Sequence, residues 1–309
     1  MTVRIAIPDL VSPSYFPAIA AVELGLFKKE GFDAELELVF PVTHAYQALH
    51  DGKWDFIGGA AHAPLYAFKD WAGARILCAL SQHMYWFLIV RADLKVKRGD
   101  LAAVRGLRIG AAPGPVDGLR RMLTAIGMNP DSDVKIGPIP AAAGAGVSFG
   151  VSAAKALENG EIDAFWANGM GSDVALKRGV GTLVLDARRG DGPKGAIDYT
   201  FAAWVTTEKL VNEKPDLARA SVRAITGAQR ALAADPSCAT PIAKKLFPAA
   251  EAEMIADLIR RDAPFYDAAI APAKVAAMNR FAQDIGLLSL DVPYDKVVAS
   301  GCSDLWKPS

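Results

Sequence analysis

Cysteine is scarce: the 309-residue chain has three, at positions 78, 238 and 302. So few, so widely spaced, exclude a disulfide framework and a thiolate zinc site. Cys78 falls in an apolar strand pattern and reads as a small buried hydrophobe. Cys238 and Cys302 leave room for one bridge in an oxidising compartment, although no spacing argues for it. Histidine is nearly as rare, with four. His44 and His50 lie six apart, on different faces of one helix, so no metal is expected. An excess of either charge is missing too, with Lys+Arg and Asp+Glu at 34 each. That balance excludes a field suited to nucleic acid or an anionic membrane. The basic pairs Arg120-Arg121, Arg188-Arg189, Lys244-Lys245 and Arg260-Arg261 are scattered, as solvated helix faces or turns would be. No apolar run reaches the roughly 18–20 residues of a membrane span. Nor does the start carry a signal-peptide pattern, since Met1-Thr2 runs straight into strand-like Val3–Ile7. The expected location is periplasmic if an export signal has been removed, and otherwise cytoplasmic.

What is present is a globular composition, 52% hydrophobic, long enough for about two domains. Strand patterns at Val3–Ile7, Ala34–Phe40, Phe56–Gly59, Ile76–Leu80 and Trp86–Arg91 alternate with helix patterns. The helices fall at Phe16–Lys29, stopped by Gly31, at Ala45–His50, capped by Thr43, and at Ala63–Phe68. After a polar connector ending at Gly106 the pattern restarts. Strand Leu107–Ala111 leads to helix Leu119–Ile126, with Asp117 as its N-cap, and then to strand Val134–Ile139. A loose Ala/Gly stretch at 141–146 precedes helix Val151–Glu158 and strands Ala164–Ala167, Thr182–Leu185 and Phe201–Thr206. Beyond Pro215 the chain reads as helices. Two α/β halves and a helical tail predict two lobes with a cleft between them.

One phrase is written twice: ALHDGKWDFIGG at 48–59 and ALENGEIDAFWANG at 156–169. In each, a helix stops at a Gly (Gly52, Gly160) able to take the left-handed conformation. An Asp (Asp55, Asp163) then opens a short strand, where a carboxylate can accept from turn amides. Equivalent copies in the two halves predict lobes of related topology.

These units resemble those of type II periplasmic substrate-binding proteins of ABC importers. The nitrate/sulfonate/taurine and thiamine-precursor (NMT1/THI5-like) subgroup is the most similar. The run Ala21-Val22-Glu23-Leu24-Gly25-Leu26-Phe27-Lys28-Lys29-Glu30-Gly31-Phe32 looks like that family's A-x-E-x-G-[LY]-F-x-x-E-G-[LF] signature. Asp100-Leu101 with Gly106-Leu107-Arg108-Ile109-Gly110 is similar to its lead-in to the second lobe. The resemblance implies an α/β, two-lobed fold: two mixed sheets flanked by helices, with a ligand cleft between lobes. It also implies a discontinuous first lobe, residues 1–90 plus 201–309, a second lobe of 91–200, and hinges near 90–93 and 199–204.

In open α/β sheets ligands lie beyond the carboxyl ends of the strands. That rule selects candidate ligand-binding residues: Asp9, Leu10, Ser14 and Tyr15 after strand one, Phe40 and Thr43 after strand two, Ala60, Ala61 and His62 after strand three, and Gln82, His83 and Tyr85 after strand four. In the second half it selects Gly114, Pro115 and Val116, then Trp166, Asn168 and Gly169. The Gly/Pro loop 112–118 offers backbone amides to an anionic group. It is neither a P-loop nor a GxGxxG fingerprint, and no cofactor is expected. Aromatic rings gather in these positions while lysine and arginine are missing from them, which describes a largely neutral pocket for a small organic, aromatic or heterocyclic ligand.

The functional expectation is a monomeric solute-binding protein that closes on such a ligand and delivers it to the membrane component of an ABC importer, without nucleic acid and without chemistry. The alternative is a cytoplasmic enzyme on the same fold, of the desulfinase, pyrimidine-synthase or decarboxylase kind the resemblance also includes, with His62 or His83 as acid or base. Against it, no cysteine lies in a candidate ligand loop, and the His/Cys-rich segment of the pyrimidine synthases is missing. A cytoplasmic ligand sensor is a third possibility that no residue singles out.

Overall fold

The computed structural model describes residues 1–139 and 148–307; the Ala/Gly stretch at 141–146 lies outside the described residues. In chain order the strands are β1 (Thr2–Ile7), β2 (Asp33–Leu38), β3 (Phe56–Ala60), β4 (Ala74–Ser81), β5 (Phe87–Arg91), β6 (Arg108–Ala111), β7 (Lys135–Gly137), β8 (Ala164–Ala167), β9 (Gly181–Asp186) and β10 (Ala202–Thr207). The helices are α1 (Phe16–Glu23), α2 (Leu26–Lys29), α3 (Val42–His50), α4 (Val116–Ala125), α5 (Phe149–Glu158), α6 (Gly169–Lys177), α7 (Glu208–Glu213), α8 (Pro215–Ala234), α9 (Ala239–Leu246), α10 (Ala249–Asp262), α11 (Pro272–Asp284) and α12 (Tyr294–Val297).

The chain divides into two compact units, Met1–Gln82 with Thr200–Ser309, and His83–Tyr199. The first holds a sheet of order β2-β1-β3-β10-β4, the second one of order β7-β6-β8-β5-β9. In each, four strands point the same way and the strand in the fourth position runs antiparallel to both its neighbours. The related topology expected from the repeated phrase is therefore present. The sheets are mixed, as the resemblance implied. One boundary differs: β5, expected in the first lobe, pairs with β8 and β9 in the second sheet. The division accordingly falls at Gln82–His83, not near 90–93.

In the first unit the edges are handled in two ways. β2 exposes Asp33, Glu35 and Glu37 on its outer face, charges that discourage pairing with another chain. β4 is buried along its whole length, and the C-terminal part of the chain covers it. Ala79 N–H donates to Ala268 O at 2.9 Å, and Gln82 N–H donates to Phe265 O at 2.8 Å. Trp306 Nε1 donates to Leu77 O at 2.9 Å. The Gln229 amide of α8 donates to Ala79 O and Leu80 O at 3.0 and 2.9 Å. In the second unit α5 and α6 approach through glycines, and a Cβ on Gly171 would lie 2.3 Å from Gly150 O.

The repeated phrase has a partner that its own letters do not show. Asp55 accepts the N–H of Arg4 at 2.8 Å, while the Arg4 guanidinium donates to Gly52 O at 3.0 Å. In the second unit Asp163 accepts the N–H of Arg108 at 2.9 Å and its guanidinium at 2.8 Å. Arg108 also donates to Gly160 O at 2.9 Å and Glu161 O at 2.8 Å. An arginine at the start of the neighbouring parallel strand thus grips each Gly-x-x-Asp turn.

Some local expectations are corrected. The helix expected over 16–29 breaks at Gly25, whose φ of 67° is left-handed, into α1 and α2. The helix expected at Ala63–Phe68 is a single 3-10 turn, Ala63–Tyr66; Asp70 and Trp71 just beyond take positive φ and reverse the chain. Thr43 and Asp117 are not N-caps, because α3 begins at Val42 after Pro41 and α4 at Val116 after Pro115. α6 and α7 have no counterpart in the sequence reading. Among the described residues no helix is long and apolar enough to cross a membrane. All three cysteines are free thiols, so Cys238 and Cys302 are not bridged.

Hydrogen bonds from the Arg108 guanidinium, then from its amide, hold the Asp163 carboxyl down to about 2. Its contribution is therefore complete above the ordinary carboxylate range near 3.8 and is lost as pH falls through about 2. We expect Asp163→Asn to cost about 1–2 kcal/mol at pH 7. In urea titrations the difference from the parent should shrink between pH 4 and pH 2. A difference that persists unchanged at pH 2 contradicts the assignment.

Candidate functional site

Parallel strands bring their carboxyl ends to one edge of each sheet, and most of the candidate residues gather there. In the first unit the chain leaves β1 through residues 8–15, all buried except half-buried Leu10. Asp9 turns this loop by accepting the Val11 N–H at 3.0 Å, a local side-chain-to-backbone turn. Tyr266 braces it from outside, its hydroxyl donating to Pro13 O at 2.7 Å. Ser14 and Tyr15 follow, both buried. Between Asp9 and Ser14 sits Ser12, fully buried, whose Oγ has no hydrogen-bond partner among the described residues. Sequence reasoning passed over Ser12, although it lies in the loop the strand-end rule selects.

At the next strand end, Ala61 N–H donates to Phe201 O at 2.9 Å. This sets Thr200 beside His62, and the His62 Nδ1 lies 2.9 Å from Thr200 Oγ1. The imidazole is fully buried and meets the Phe281 ring edge-on at 5.3 Å. Ala60 is the last residue of β3, and its carbonyl accepts from Tyr46 Oη at 3.3 Å. Phe40 is half-buried beyond β2, as is Thr43 within α3. Gln82 is committed elsewhere: its Nε2 donates to Asp267 O and Ala269 O at 2.7 and 2.8 Å. That side chain holds the cover over β4.

In the second unit the loop after β6 passes Gly114, at φ 88°, and Pro115 before Val116 opens α4. Trp166, fully buried in β8, pins this loop by donating from Nε1 to Pro115 O at 2.9 Å. Its ring is one of three: Tyr85 and Trp86 lie 4.7 Å apart, and Trp86 and Trp166 6.1 Å. Asn168 is occupied as the N-cap of α6, where its Oδ1 accepts the Gly171 N–H at 3.2 Å; Gly169 is the first residue of that helix. His83 takes a left-handed backbone, φ 64°, and its Nδ1 lies 3.1 Å from Asp198 Oδ1. A non-glycine residue held there stores strain of order 1 kcal/mol, and it stands at the crossover into this unit.

One residue corrects the expectation that arginine is missing from these edges. β9 runs parallel to β8, so its carboxyl end shares that edge, and the next turn carries Arg188. Taken for part of a solvated pair, Arg188 is only 2% exposed, and its guanidinium carbon lies 5.6 Å over the Tyr85 ring. The strand pattern Thr182–Leu185 could have found it, had the rule been applied to that strand as to the others.

The NMT1/THI5-like family profile matches residues 12–239. The chain belongs to the NMT1/THI5-like family. No curated protein matches it by sequence. Among solved structures it is similar to the periplasmic nitrate-binding protein of Synechocystis (16% identity, 99% of this chain and 87% of that one, TM-score 0.73). It is also similar to an alkanesulfonate-binding protein of Xanthomonas axonopodis bound to MOPS (14%, 97% of each chain, 0.71). A third is a desulfurization enzyme (17%, 96% of each chain, 0.63). These likenesses establish the fold expected for the family, the type II periplasmic-binding-protein fold.

Asn168 gives a clean separation of structural from ligand roles. Removing its cap in Asn168→Ala should cost about 1 kcal/mol, while Asn168→Asp should keep most of the stability. Urea midpoints for the two variants check this, and equal midpoints would place the Asn168 amide outside the capping role.

Proposed function

We propose that this NMT1/THI5-like protein is the solute-binding component of an ABC importer, which captures one small organic molecule and hands it to the membrane component. The observation that carries the proposal is the gathering of buried polar and aromatic side chains at the carboxyl edge of each sheet. Ser12, His62 and Thr200 do so in one unit, and Tyr85, Trp86 and Arg188 in the other. A buried hydroxyl such as Ser12 Oγ is costly unless something hydrogen-bonds it, and a ligand at this edge supplies the partner. The family membership and the likeness to nitrate- and alkanesulfonate-binding proteins support the same reading. Capture works by closure about the two crossovers, Gln82–His83 and Tyr199–Thr200, which selects a ligand-bound state without changing the ligand. In this role the protein works in the periplasm.

The alternative, an enzyme on the same fold, has the desulfurization enzyme as its structural precedent. A thiolate nucleophile has no place here. Cys78 sits in mid-strand in β4, and burial pushes its thiol well up; burial also pushes up Cys238 and Cys302. Nucleophilic cysteines need the opposite shift.

Isothermal titration with carboxylates, sulfonates and nitrogen heterocycles tests the proposal. One class should bind saturably at one site per chain and be recovered unchanged, whereas a chemically altered product would sink the transport reading. Ser12→Ala should leave the melting temperature the same or slightly higher, since no protein hydrogen bond is lost. It should weaken that ligand about five- to tenfold.

A further inference from the structure

We propose that the groove beside Trp54, at the strand-opening edge of the first unit, binds a neutral sugar. Trp54 precedes β3 (Phe56–Ala60), so the groove lies at the end of the sheet opposite the candidate ligand loops. The inference does not rest on the solute-binding reading. It starts from one difference between the two copies of the repeated phrase. Gly52 and Asp55 match Gly160 and Asp163 and make the same turn, whereas Trp54 stands where the second copy has Ile162. Ile162 is used in packing: a Cβ on Gly110 would meet its Cδ1 at 3.2 Å. Trp54 is half-buried, and among the described residues its indole N–H has no acceptor and its ring meets no other ring. The indoles of Trp71, Trp166, Trp204 and Trp306, by contrast, all donate to protein acceptors.

The groove at Trp54 measures about 770 Å³, within the range of small-molecule sites. Leu49, Phe68 and Leu210 line its buried part. Asp51, Lys209, Asn212, Glu213 and Lys214 stand exposed around it. The other acids of the lining are engaged, Asp55 by Arg4 and Glu208 by Arg75. Lys209, Glu213 and Lys214 make no ion pair among the described residues, and the Asp51 carboxylate meets only Gln47 and His50. Two carboxylates and two ammonium groups cancel, so the rim has no net field suited to an ion. It offers donors and acceptors together, from ammonium, amide and carboxylate groups. A sugar hydroxyl donates and accepts at once, and the C–H face of a pyranose ring suits the electron-rich face of an indole. The counterpart groove in the second unit, about 390 Å³ beside Gly160, has no such chemistry. No aromatic side chain lines it, and its charges are paired, Arg91 with Asp93 at 2.5 Å and Glu158 with Arg178 at 2.8 Å.

Calorimetric and tryptophan-fluorescence titrations of the full chain test the assignment. The probes are glucose, galactose, mannose, N-acetylglucosamine and their linear oligomers, with benzoate and benzylamine as charged controls. At least one sugar should bind saturably, and Trp54→Ala should weaken it about tenfold or more. Asn212→Ala, at an exposed rim position, should weaken the same sugar about two- to fivefold and leave the melting temperature unchanged. That variant carries the test if Trp54→Ala fails to fold. Affinity that rises with oligomer length supports a glycan chain as the source, and equal affinity for the monomer supports a free sugar. Binding of no sugar, or a sugar affinity untouched by both substitutions, overturns the assignment. So does Trp54-dependent binding of either control more tightly than every sugar. A sugar lost in Ser12→Ala but kept in Trp54→Ala sits at the carboxyl edge instead, which overturns the groove and leaves the solute-binding reading in place.

Discussion

The bond from a strand-opening amide to an aspartate one turn away sets the frame on which everything else depends. Arg4 N–H on Asp55, and Arg108 N–H on Asp163, fix where the third parallel strand begins beside the first. The ladders start one residue further on, Ile5 with Phe56 and Ile109 with Ala164. A slip of one residue would turn every side chain of β3 or β8 to the opposite face. It would also move the loops at the far ends, residues 61–62 and 168–169, out of line with the loops after β1 and β6. The clamp sits at one edge of each sheet, and its consequence is read at the other.

At that other edge the polar groups divide by employment. Asp9, Gln82, Asn168 and the Trp166 indole N–H are engaged with the backbone, and they shape the loops. Ser12 is not so engaged, and Arg188 is stacked on a ring at the strand end. His62 and His83 each meet a residue at the second crossover, Thr200 in one unit and Asp198 in the other. Each histidine thus joins a strand-end loop to the second crossover within its own unit.

Much of the fold was legible because its signals are periodic or repeated. The β1 and β8 segments are apolar runs with clear stops, and the Gly-x-x-Asp phrase announced two related sheets. What escaped has physical causes. α6 opens Gly-Met-Gly-Ser, a poor helix former whose Gly171 serves the close approach to α5. The membership of β5 depends on which strands it hydrogen-bonds, a tertiary choice that its pattern of apolar residues does not encode. At the site, the strand-end rule reaches loop residues such as Asp9, His62 and Asn168, whereas Ala60 and Trp166 lie within strands and Thr43, Val116 and Gly169 within helices. Which of them are already employed was not legible, since a backbone partner such as Pro115 O or Asp267 O is far away in sequence. Arg188 was missed for a different reason: a dibasic pair looks solvated until its neighbours Tyr85 and Trp86 are known.

On the transport reading the chain holds one small organic molecule and returns it intact. Native mass spectrometry of the protein, isolated without unfolding and then loaded with the tightest-binding compound of the titration series, tests it most directly. The expected result is a single 1:1 adduct whose released compound keeps its mass after hours of incubation. Release of a compound of different mass, or adducts of mixed stoichiometry with no preferred one, would contradict it.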